Sequence, residues 1–286
     1  MKIFIFCLAA FQMAGAANAQ PYIDLVNARY MNSPDAGLIN RDKQKCSLQY
    51  YNVNTNIPFQ SKHNSNIVIL SPFFEQWKMS PGSNTGVPGN YFSIAVPASY
   101  IYSYSGQWKV LYSVIPKINY SDINNSGIGQ IGGAILATYQ KTPALAYKFG
   151  LYYNSEFFGN FFIPLAGIDW RINVKNKLFG VLPGSLAYEH KLNTFFYYGV
   201  TFHAVTNSYR EINNKYFRVD DNQLGLFGDV YVSKNFVLNA EVGHSLFRKV
   251  RSGQKSVYLN DLNVNDNCYF KISLAYRIRF DEAIKK

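Results

Sequence analysis

The stretch CYFKISLAYRIRF, residues 268–280, is compatible with one kind of secondary structure. Cys268, Phe270, Ile272, Leu274, Tyr276, Ile278 and Phe280 are apolar, and Lys271, Ser273, Arg277 and Arg279 fall between them. On a helix, positions two apart advance about 200° and ring the axis without making a face. On a strand they all point one way. Globular strands average about 5–6 residues, whereas a tilted membrane-crossing strand needs roughly 9–11. The run has membrane length, and its two faces suit lipid on one side and a wet interior on the other.

The front of the chain agrees. Lys2, the apolar run from Ile3 to Phe11 and the triplet Ala17-Asn18-Ala19 have the form of a secretory signal peptide, with cleavage expected before Gln20. The expected layout is residues 1–19 as signal peptide and residues 20–286 as one outer-membrane β-barrel domain. No later stretch approaches the ~18 consecutive apolar residues of a membrane helix. Mean hydropathy is −0.13, as in many soluble chains. Yet aromatic residues make up 17% and charged residues only 16%, a balance that a barrel with one lipid face and one wet face produces. Doublets such as Phe73-Phe74, Tyr152-Tyr153 and Phe161-Phe162 suit interfacial girdles.

The net charge is +11, and the signal segment carries only Lys2 of it. An exported chain does not meet nucleic acid routinely, so the basic excess fits anionic lipid headgroups or an anion-attracting lumen. Cys46 and Cys268 remain after loss of Cys7, in a compartment that permits disulfides.

Further alternating runs lie at 108–120, 223–232 and 236–246. Short connections near 103–107, 141–143, 173–176, 191–193 and 233–235 take turns with long polar ones near 31–45, 78–90, 121–128, 208–215 and 249–267. That alternation predicts an all-β chain folded as a transmembrane antiparallel β-barrel of 14 strands. The count requires Tyr22–Tyr30 to be a first strand and Pro183-Gly184 to turn a hairpin within 177–191; without these, 12 strands is the alternative. In the fourteen-strand register one strand separates Cys46 from Cys268 at the outer rim. Their backbones then stand about 10 Å apart at the ~4.8 Å strand spacing, beyond the ~7 Å that a disulfide spans. Two free thiols are expected.

FFIPLAGIDWRIN (161–173) and KLFGVLPGSLAYEHKLN (177–193) resemble a family of uncharacterised outer-membrane β-barrels from Bacteroidetes-type bacteria. The resemblance implies a barrel in the outer membrane of a Gram-negative bacterium and carries no catalytic residues to transfer.

Chemistry is sparse. Of the four histidines, His244 shares a face with Phe236, Leu238 and Val242 and reads as a lipid-boundary residue. His190 lies at a short turn, and His63 stands alone. His203 shares its face with Tyr197, Gly199 and Thr201 and is the one candidate general base for a lipid-modifying hydrolase. No GxSxG, HExxH or close His/Cys cluster occurs, and neither a cofactor nor a metal site is expected.

Alternation places Lys109, Lys117, Lys148, Asp169, Arg171, Glu189, Asp229, Glu241, Lys271 and Arg277 on the inner face. Asp229 and Glu241 should pair with Lys271 and Arg277, leaving Lys109, Lys117 and Lys148 as an unpaired basic excess opposite. The leading functional expectation is a passive channel for small hydrophilic solutes with a weak anion preference. The alternatives are an outer-membrane lipid hydrolase and a closed structural or surface-recognition barrel. Expected partners are outer-membrane lipids, the barrel-assembly machinery during biogenesis and small solutes, with no nucleic acid.

Overall fold

The computed structural model describes residues 21–38, 41–60, 65–81, 89–122, 124–254, 257–261 and 264–280. The expected signal peptide, its cleavage point and His63 lie outside these residues. Within them, 14 antiparallel strands close one barrel. In chain order they are β1 (Tyr22–Leu38), β2 (Arg41–Thr55, continued by Ile57–Gln60), β3 (Ile67–Leu70 and Phe73–Pro81), β4 (Asn90–Ala95 and Ala98–Ser103), β5 (Trp108–Ser121), β6 (Asn124–Thr142) and β7 (Leu145–Glu156). There follow β8 (Gly159–Arg171), β9 (Asn176–Leu182), β10 (Ser185–Lys191), β11 (Phe196–Arg210), β12 (Lys215–Tyr231), β13 (Phe236–Gln254) and β14 (Val257–Asp261 and Cys268–Arg279). Each strand pairs with its neighbours in sequence, and β1 closes on β14, with Tyr22 opposite Arg279 and Asn32 opposite Phe270.

Both elements on which the strand count depended are strands. β1 begins at Tyr22, and β9 and β10 form a hairpin from Asn176↔His190 to Val181↔Ser185 around Pro183-Gly184. The hairpin is tight. Gly180 takes φ +144°, a region L side chains rarely adopt, and a Cβ there would lie 2.3 Å from the Ser185 carbonyl oxygen.

Two expectations need correction. Where the long polar connections fall among the described residues, they are largely strand and not loop. β12 has 17 residues and β6 and β13 have 19 each, far beyond the roughly 9–11 that cross a bilayer. The polar stretches remain in the ladder and raise the wall past the lipid band, forming an extended rim opposite the short-turn rim. The aromatic doublets, too, do not give both rings to the girdle. Successive side chains point to opposite faces, so Phe162 is 67% exposed outside and its ring meets that of Tyr153 at 4.8 Å, while Phe161 is half-buried inside. Tyr197 and Tyr198 divide in the same way, the first fully buried and the second exposed.

The outer face is the apolar one. Leu151, Ile135, Val114, Leu226, Val242 and Leu274 are all exposed there, which in water would be costly and in lipid is required. The buried core lies inside the barrel at its extended half, where Met31, Leu48, Trp77, Phe217, Val219 and Val250 pack together.

Candidate functional site

At the extended end the lumen is crossed by its own wall. The last residues of β11 lean inward onto strands that are not its neighbours. Asn119 of β5 donates to the Ser208 carbonyl at 2.8 Å, and Ser121 donates to the Arg210 carbonyl at 3.2 Å. The Ser208 amide donates to Glu156 of β7 at 3.1 Å, and the Ser208 hydroxyl donates to the same carboxylate. Glu156 also accepts from Gln130 and Asn154 and stands 3.7 Å from Lys117 Nζ. Next to this, Glu75 of β3 accepts from Tyr50, Asn207 and Tyr209. Two buried carboxylates thus bind β11 to the opposite wall through charge-assisted hydrogen bonds. Together with the apolar core, which also holds a buried Arg248–Asp221 pair at 3.1 Å, they narrow the lumen at this end.

The short-turn half is different. Here a cavity of about 390 Å³ is lined by Tyr22, Arg29, Lys148, Asp169, Ser185, Thr201, His203, Glu241 and Lys271, among others. A second, of about 130 Å³, shares Arg29 and Lys271 and reaches Asp229, Asn239 and Arg277. Lys271 pairs with Glu241 at 2.7 Å, and Arg277 with Asp229 at 2.6 Å and with Asp24. Lys148 pairs with Asp169 at 2.7 Å. Lower down, Arg279 reaches across from β14 to Glu189 of β10 at 2.6 Å, with Lys177 3.9 Å from the same carboxylate. Lys109 lies on the inner face at the short-turn rim, opposite Thr138 in register, and Arg171 faces inward opposite Lys177.

The expectation of an unpaired excess at Lys109, Lys117 and Lys148 is therefore overturned for two of the three, since Lys117 and Lys148 each have a carboxylate partner. The charges meet because burial makes an unpaired ion expensive. The partner of Lys117 lies two strands away, on β7, where comparison of adjacent strands does not look. Extending the β7 alternation from Lys148 to Glu156 would have found it.

One cation was missed. Arg29 sits on the inner face of β1, two positions from Asn27 and two from Met31, and lines both cavities. Among the described residues no carboxylate lies within ion-pair reach of it, and its Nε is buried without a hydrogen-bond partner. The inner-face alternation of β1 was the available signal.

His203 also faces the cavity, opposite Ser185 in the β10–β11 register. Among the described residues nothing hydrogen-bonds its ring, so the orienting partner that a general base needs within about 2.6–3.2 Å is not among them. His190 accompanies Tyr198 on the lipid side, its Nδ1 2.7 Å from Asn176 Oδ1, and His244 is exposed there. Among the described residues no group of His, Cys, Asp or Glu could hold a metal ion. Cys46 is buried and Cys268 exposed, and both are free.

The lumen has a further asymmetry that the sequence reading did not anticipate. Across from the charged wall, the inner faces of β3 to β8 carry Ile69, Leu111, Ile115, Leu136, Ile163 and Leu165, all half-buried and so bordering open interior space. On this side of the lumen an apolar patch lies between the charged groups Lys109, Lys117, Lys148 and Asp169.

Solved channels are among the structures to which the chain is similar, at low identity. The NanC porin has a TM-score of 0.43 and 9% identity, over 88% of this chain and all 100% of that one. An outer membrane channel from Pseudomonas putida F1 gives 0.48 and 8%, over 92% and 98%. A TodX monoaromatic hydrocarbon channel mutant gives 0.47 and 10%, over 93% and 91%. No curated protein matches the chain. Residues 16–281 match the family described as a domain of unknown function, DUF6268, and the chain belongs to that family.

Proposed function

We propose that this barrel is a passive channel of the outer membrane for small solutes, with an anion preference set by Arg29. The observation that carries this reading is the position of that side chain. Around the two cavities Lys148 and Lys271 each have a carboxylate partner and Arg277 has two, whereas Arg29 faces the same space with no carboxylate beside it among the described residues. A lone cation in a confined interior favours anions. The contact between β11 and the opposite wall limits the axial path, so conductance steps of the wild type are expected to be small.

The test is reversal potential in a potassium chloride gradient across a planar bilayer. The wild type should prefer chloride, and Arg29→Gln should abolish the preference. The wild-type preference should also shrink at high salt, where the Debye length falls to about 3 Å at 1 M. Unchanged selectivity in Arg29→Gln would remove Arg29 from the path. A second reading, a closed surface-recognition barrel, is favoured by the apolar core in the extended half. Silence in the bilayer from both the wild type and a variant freed of the Glu156 contacts supports that reading over the channel. The hydrolase reading draws no support from the surroundings of His203.

A further inference from the structure

We infer that the barrel wall has a lateral opening between β8 and β11, and that it admits the acyl chain of a single-chain anionic amphiphile whose head is held at Arg29. This rests on the channel reading and adds to it a route and a substrate class. The opening follows from strand lengths. β9 and β10 have 7 residues each, but β8 has 13 and β11 has 15. β8 pairs with β9 only from Ala166 to Arg171, and β11 with β10 only from Tyr197 to His203. Residues 159–165 and 205–207 therefore border the space above the hairpin with no strand between them. The hairpin turn forms the sill, with the Ala204 amide bonded to the Gly184 carbonyl at 3.0 Å. The β7–β8 turn closes the top, where the Phe157 amide donates to the Ser208 hydroxyl at 3.0 Å.

On the β8 side the lower part of the gap lies at the level of the apolar outer face, because Pro164 is opposite Leu151 and Leu151 opposite Ile135, both exposed there. An open strand edge is excluded from hydrocarbon unless it lines a water-filled space. The edges here are treated accordingly. The Arg171 amide points to β7, at 2.8 Å from the Ala144 carbonyl, so by alternation the amide position of residue 164 points into the gap. That residue is Pro164, which has no N–H to leave unpaired. On the other side, the Ser208 amide and carbonyl are capped by Glu156 and Asn119. At these two positions the edges leave no unpaired amide.

What the opening leads to identifies its occupant. Just inside the sill, Val181 and Ser185 of the top hairpin rung line the 390 Å³ cavity that holds Arg29. Gly167 of β8 is opposite Val181, and the next inward positions along β8, towards the gap, are the apolar Leu165 and Ile163. A carboxylate head beside Arg29 and a hydrocarbon chain along Ile163 and Leu165, leaving past Pro164 to the lipid, would match the cation and the apolar positions at once.

Palmitate is a suitable probe, with methyl palmitate as its neutral counterpart. Purified full-length barrel in nanodiscs should bind labelled palmitate saturably and the ester much less. Arg29→Gln should weaken palmitate by about tenfold or more, the scale of a lost charge-assisted hydrogen bond. Ile163→Trp and, as a second blocking variant, Leu165→Trp should reduce binding, while Val110→Trp on the lipid face of β5 should not. Heat-modifiable mobility on unboiled gels selects the folded variants. Non-saturable binding, equal binding of the ester, or normal binding by both folded Trp variants would overturn the inference. Loss of chloride preference in Arg29→Gln with palmitate binding unchanged overturns the opening while leaving the channel intact. Absent conductance with saturable, Arg29-dependent palmitate binding does the reverse.

Discussion

The two halves of the lumen are built by the same strands under the same alternation, yet one is solid and the other hollow. The boundary is a single rung. Two residues along β1 lead from Arg29, on the cavity, to Met31, fully buried in the core. On the extended side large apolar side chains such as Trp77 and Phe217 pack inside the lumen beside buried, bonded polar groups, whereas on the short-turn side charged side chains line open space. Alternation decides which side chains face inward, but their volume and polarity decide whether the interior is a core or a cavity.

If that contrast is real, truncations should cost very different amounts in the two halves. Trp77→Ala, in the packed half, is expected to lose about 3–5 kcal/mol, the usual cost of removing a buried Trp. Thr201→Ala, on the cavity wall, should stay within about 0.5 kcal/mol. Urea unfolding of the barrel refolded into vesicles measures both, and equal losses would mean that the extended half is not a packed core.

The wall itself separates lipid from interior just as sharply. Leu274→Arg puts a charge on the lipid face near the middle of β14 and should cost about 2–4 kcal/mol, enough to block assembly. Ser273→Arg, its inward neighbour beside Asn239, should assemble far better. The fraction of heat-modifiable protein reports each, and the same damage from both would reverse the faces assigned here.

Local features reveal the wall much better than the interior. The strand faces, the closing strand and the Pro183-Gly184 turn were legible because each depends on period-two alternation or on turn chemistry within a few residues. The pairings Lys271–Glu241 and Arg277–Asp24 join adjacent strands in register, and Arg277–Asp229 passes over only β13 on the same inner face. Lys117–Glu156 and Arg279–Glu189 skip strands or cross the lumen, and no spacing in the sequence marks them. The inward lean of β11 is similar. Its sequence alternates as any strand does, and only the absence of a neighbour beyond His203 leaves its edge free to bond elsewhere.

Glu156 tests whether that lean separates the halves. Glu156→Gln keeps the shape but removes the charge that faces Lys117 and strengthens the bonds from Ser208. A loss of about 1–3 kcal/mol is expected for the weakened buried contacts. Single-channel conductance should rise as β11 moves away from the opposite wall. Wild-type conductance in the variant would show that the axial path is limited by something other than this contact.

The smallest effect expected is also the most direct probe of the contrast, because it changes nothing in the fold. Cys46 and Cys268 flank β1, one on β2 and the other at the start of the second segment of β14, and they differ in face as well as in strand. Cys46 is 2% exposed within the apolar core, whereas Cys268 is exposed on the outer side, opposite His244 in register. With an intervening strand and opposed side-chain directions, their sulfurs cannot meet at the roughly 2 Å of a disulfide bond. Intact mass under non-reducing conditions should therefore show two thiols. A maleimide should modify Cys268 in the folded barrel and reach Cys46 only after unfolding. A bridge between them would contradict the register of β14, β1 and β2. Equal rapid labelling of both would leave the register standing but show that the extended half admits solvent, and the distinction between a solid half and a hollow one would then fail.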